Sequence, residues 1–124
     1  MDNVSRADME SALQAIASMT YRSEKAQAKF APGNAQHTLL KNRIKALYIA
    51  SSLISRELSE SDVTESFTKD ELENALAPIA SLISKSKKAR QKLAEGSWQH
   101  RMLADNLRAL HIALPLLSKE LNDI

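Results

Sequence analysis

Two short stretches carry the side chains best suited to chemistry in this 124-residue chain: GNAQH at 33–37 and GSWQH at 96–100. Gly, Gln and His recur in the same places sixty-three residues apart. An imidazole can carry a proton near neutral pH or ligate a metal, and an adjacent amide can orient it. If both copies stand at one end of a fold, Gln36, His37, Gln99 and His100 line a polar pocket there, together with the hydroxyls of Ser23 and Ser86. Helix amino termini beside them would add unpaired amides that favour phosphate or carboxylate.

More specific chemistry lacks its partners. There is no Glu-x-x-His step of the di-iron bundles and no His-x-x-x-His pair, and two histidines are too few to hold a metal. Ser23 or Ser86 beside a histidine has no identifiable carboxylate to orient the imidazole, and no glycine-rich phosphate loop occurs. The sequence therefore assigns no catalytic residue, metal or cofactor, and it reads as a non-enzymatic protein. The competing reading of the two stretches is structural. Gly33 and Gly96 can end a helix in the left-handed conformation, and Asn34 or Ser97 can cap the next helix at once.

The elements that position these turns are themselves repeated. Residues 7–58 align with 70–121 without a gap, and more than twenty of the fifty-two pairs are identical. The matches lie on both sides of the turn, from Glu10 with Glu73 and Ile16 with Ile79 to Leu47 with Leu110 and Leu58 with Leu121. Each copy reads as a helical hairpin. Leu40, Ile44, Leu47, Ile54 and Leu58 keep one face apolar, as do Leu103, Leu107, Leu110, Leu114, Leu117 and Leu121. Met9, Leu13 and Ile16 begin such a face on the first helix, and Leu72, Leu76, Ile79 and Ile83 on the third. Ser5 and Thr68 mark matching starts, Thr68 with Glu71 as a capping box. Pro78 and Pro115 fall inside helices whose apolar faces continue past them, so kinks are expected there, not ends.

The expected fold is all-α: an up-down-up-down four-helix bundle of two tandem hairpins in a single domain spanning 1–124. Repeat one covers 5–58, an acidic, serine-rich linker 59–67, and repeat two 68–121. Two glycines and three prolines leave little material for the turns of an all-β protein. The absence of cysteine excludes a disulfide framework and suits the cytoplasm. The first twenty residues are neither a secretory signal nor a membrane span, so no membrane role is expected.

Net charge is only +2, but the hairpins separate the signs. Residues 21–50 and 84–113, the halves nearest the turns, hold thirteen bases against three acids, and the rest of the chain holds four against twelve. Dipoles account for some of this, because cations suit the ends of helices one and three. They do not account for Lys41, Arg43, Lys45 and Arg101, which stand early in helices two and four. A basic end should attract an acidic protein or a nucleic-acid backbone. Lys85, Lys87, Lys88, Arg90, Lys92 and Arg101 would supply the attraction, and Trp98 an aromatic anchor. Opposite poles on one molecule also permit self-association. Phe30 is expected to plug the core, with Leu93 as its counterpart.

Overall fold

The structure, a computed structural model, describes residues 4–59 and 66–124. Four helices follow one another: α1 (Arg6–Gln27), α2 (Ala35–Ser59), α3 (Lys69–Gln91) and α4 (Trp98–Asn122). No strand occurs among the described residues. Most of the expected linker, 60–65, lies outside them. None of the described helices is long and apolar enough to cross a membrane.

Local chemistry places the helix ends. Ser5 accepts from the Asp8 backbone N–H at 3.0 Å while the Asp8 carboxylate accepts from the Ser5 N–H, and Thr68 and Glu71 repeat the exchange. Each box satisfies two amides that the helix leaves unpaired. Just before them, Val4 and Phe67 pack onto the core, with Met9 and Leu72 one turn inside each helix, in the positions of a hydrophobic staple. Contrary to expectation, Gly33 and Gly96 do not end α1 and α3, which stop at Gln27 and Gln91 with right-handed caps at Ala28 and Lys92. The glycines take φ of 92° and 83° one residue before Asn34 and Ser97. The Asn34 side chain then accepts from the Gln36 N–H at 2.8 Å, and Ser97 from the His100 N–H at 3.2 Å. The backbone bonds of the first connection, Lys29 to Ala26, Phe30 to Gln27 and Asn34 to Ala31, recur in the second as Lys92 to Ala89, Leu93 to Arg90 and Ser97 to Ala94.

Packing makes α2 and α4 the central pair. Each touches α1 and α3, and they touch one another, whereas α1 and α3 do not meet. Their buried surfaces are accordingly broader than one seam: Ala46, Leu47, Ile49, Ala50, Leu53 and Ile54 on α2, and Ala109, Leu110, Ile112, Ala113, Leu116 and Leu117 on α4. The seam expected from leucine and isoleucine spacing misses two-thirds of these. It also overstates Ile44, Leu58, Leu103, Leu114 and Leu121, which are half-buried. Helices with three neighbours need a second apolar stripe, and alanine on it allows close approach.

Two phenylalanines exchange roles relative to expectation. Phe30 is exposed, because α1 ends at Gln27 and leaves it in the connection beyond the last layer of the core. Phe67, assigned to the linker, is buried and meets Tyr48 edge to face at 6.3 Å between ring centroids. Both α3 and α4 continue through Pro78 and Pro115.

Candidate functional site

A cavity of about 210 Å³ lies where the turn-proximal halves of the helices converge, and all four helices contribute to its wall. Met19, Arg22 and Ser23 come from α1, Arg43 from α2, Ser86 from α3, and Met102 and Asn106 from α4. Ser23, Ser86 and Asn106 are the buried polar residues among those described, and every one of them lines this cavity. Ser23 donates its hydroxyl proton to the Met19 carbonyl at 2.8 Å, one helical turn back. Arg22 reaches across from α1 to donate to the Met102 sulfur at 2.8 Å.

The structure divides the six residues expected to form a pocket. Ser23 and Ser86 share the cavity; Gln36, His37, Gln99 and His100 do not line it. His37 and His100 are half-buried in the first turns of α2 and α4. There the backbone N–H of Gln36 or His100 serves the cap. Among the described residues no cluster of three or more His, Asp or Glu is arranged to hold a metal ion.

Sequence reasoning overlooked Arg22, Arg43 and Asn106 as pocket residues. A signal for Asn106 was present: it lies four and seven residues before Leu110 and Ala113, on the buried face of α4. An amide on an apolar face requires a polar neighbour or solvent.

Arg22 and Arg43 belong to the turn-proximal segments 21–50 and 84–113, which hold thirteen bases. Of the thirteen cations counted there, Lys45 pairs with a carboxylate, that of Glu71 at 2.9 Å, and the other twelve form no ion pair among the described residues. Lys85, Lys87, Lys88, Lys92 and Arg101 are exposed and Arg90 is half-buried. At the opposite end, three of the four bases are engaged: Arg6 with Glu10, Lys69 with Glu73 and Arg56 with Glu120. Among the described residues, the bases without an ion pair therefore lie mostly in segments 21–50 and 84–113.

Trp98 is 64% exposed and stands beside Arg101, Asp105 and Arg108 in a groove between α4 and α1 whose opposite wall includes Ser11, Gln14 and Ser18. A second groove, between α2 and α3, is built from the corresponding positions sixty-three residues away: Leu39, Asn42, Asn74, Ala77, Pro78 and Ser81. Tyr21, also exposed, has the Lys25 ammonium over its ring at 5.0 Å from the centroid. No family model, curated protein or solved structure matches the chain.

Proposed function

We propose that this is a non-enzymatic binding or regulatory bundle whose basic turn end captures an acidic partner, either a protein surface or a nucleic-acid backbone. The observation that carries the proposal is the set of twelve cations in the turn-proximal segments without a carboxylate partner among the described residues. Charges left unmatched in one region raise the local concentration of polyanions and speed their encounter. Trp98 provides exposed aromatic area beside Arg101, the pairing of residue types that most often dominates interface energetics. With Tyr21, Phe30 and Trp98 as exposed rings near the turns, base stacking has few platforms, so contacts would be chiefly to phosphate or carboxylate.

The same proposal takes the chain to be two tandem copies of one hairpin, packed up-down-up-down about a pseudo-twofold axis between α2 and α4. The recurrence of caps, turn hydrogen bonds, positive-φ glycines and buried positions at one offset supports it. So does the correspondence of the two grooves. The axis would gather both turns, and hence both basic segments, at one end. Its setting we take to be the cytoplasm, from the cysteine-free composition.

The experiment is a salt titration of binding to a fluorescent single-stranded oligonucleotide and to polyglutamate. It compares the native chain with a variant carrying Lys85→Glu, Lys87→Glu, Lys88→Glu and Lys92→Glu. Affinity should fall steeply between 50 and 200 mM salt, by about 10³-fold if six or more phosphates are contacted, and the variant should lose it. Binding that ignored both salt and charge reversal would sink the proposal.

A further inference from the structure

We infer that the turn-end cavity is a binding site for a small oxyanion, a molecule or ion with one carboxylate or phosphate head. The groups inside the cavity carry this independently of the exposed rim. Asn106 is only 5% exposed and Ser86 only 7%, and neither side chain has a hydrogen-bond partner among the described residues. Burying such groups unpaired is unfavourable. Among the described residues no buried side-chain oxygen or nitrogen is sealed away without a partner, so both groups reach open space, Ser86 at the cavity and Asn106 at the cavity and the α4–α1 groove.

The remaining walls choose the sign of the ligand. Arg43 borders the cavity with five N–H donors and no protein acceptor among the described residues. Arg22 spends one donor on a thioether, a weak acceptor that leaves its charge uncompensated. No Asp or Glu lines the space. Two guanidinium groups, a primary amide and a hydroxyl thus border one volume with no carboxylate on its wall, Arg43 also bordering the α2–α3 groove and Asn106 the α4–α1 groove. This arrangement repels cations and suits planar or tetrahedral oxygen clusters. Ser23, whose proton is committed to the Met19 carbonyl, leaves lone pairs for a protonated oxygen of the ligand.

Size narrows the class further. The cavity measures about 210 Å³, against roughly 30 Å³ for each water in the liquid and roughly 300–1,000 Å³ for pockets that enclose drug-sized molecules. An oxyanion head with a few further atoms fits.

The full-length, ¹⁵N-labelled chain should be titrated with inorganic phosphate and, separately, with malonate, at constant ionic strength maintained with chloride. At least one of the two should produce saturable shifts at the Asn106 side-chain amide and the Ser86 backbone amide. Arg43→Gln, at the rim of the cavity, should weaken that binding about tenfold or more, and Asn106→Leu, which replaces the amide with an apolar side chain, should remove it. Which probe saturates identifies the head group. Three results would overturn the inference: no saturable shift with either probe, equal shifts with chloride alone, or binding retained in Arg43→Gln. Charge reversal at Lys85, Lys87, Lys88 and Lys92 should leave saturable binding in place while abolishing polyanion capture, so the two proposals fail separately.

Discussion

Arg56 and Glu120 join α2 to α4 through two parallel hydrogen bonds, one of 2.9 Å, and both side chains are about three-quarters withdrawn from water. The guanidinium bonds hold the Glu120 carboxyl below the usual carboxylate range against an opposing desolvation, and they raise Arg56 in turn. Glu71 is lowered as well, first by the Thr68 backbone N–H and then by Lys45. A carboxyl with a depressed folded-state pKa contributes stability that is present above its unfolded value, about 4.3, and lost as pH falls through the folded value. Urea unfolding between pH 6 and 2 should therefore show falling stability, with a flatter profile in Glu120→Gln. At pH 7 that substitution should cost on the order of 1–3 kcal/mol, between exposed and buried pairs, and an unchanged midpoint would show that the pair contributes nothing. Gly33 and Gly96 test a different local term. A Cβ at either would meet nothing within 4 Å, so Gly33→Ala or Gly96→Ala should cost only the left-handed backbone strain, about 1–2 kcal/mol. These caps and the left-handed glycines were legible in the sequence, because each depends on residues a few positions away, but the ends of α1 and α3 at Gln27 and Gln91, well before the glycines, were not. The exchange between Phe30 and Phe67 was not, since helix length and a distant Tyr48 decide it.

Helix periodicity predicted four elements, and the four helices have 22, 25, 23 and 25 residues. What periodicity misjudged was how much of each helix is covered. A leucine seam describes a helix facing one side of a core, but α2 and α4 are each enclosed by three neighbours. Ala46, Ala50, Ala109 and Ala113, which a search for large apolar residues passes over, are wholly buried on that pair. Ala50→Leu or Ala113→Leu should overpack the centre and cost about 1–3 kcal/mol. Ala17→Leu, at an exposed position on α1, should change stability by about 0.5 kcal/mol or less. Equal effects at all three sites in a thermal-melt series would contradict the central placement of α2 and α4.

At the scale of the molecule, twelve of the thirteen bases in segments 21–50 and 84–113 form no ion pair among the described residues, whereas three of the four bases elsewhere do. The proposed packing would make these two regions opposite poles. Contact between the poles of two molecules would relieve that imbalance. Sedimentation velocity at 20 mM salt should reveal association that disappears at 500 mM, where the Debye length shrinks to roughly 4 Å; a monomer at both concentrations would remove pole-to-pole assembly. The sequence by itself determined the helices, their caps and their reversing turns, because capping bonds and apolar periodicity act over a few residues. It also carried the charge contrast between turn-proximal segments and the rest of the chain, which needs only the positions of the turns. Only the tertiary structure decided that Arg22, Arg43, Ser86 and Asn106 border one cavity while His37 and His100 stand apart from it. Each comes from a different helix, and how four helices settle against one another depends on the fit of side chains across their interfaces, a property that no single helix's sequence pattern contains.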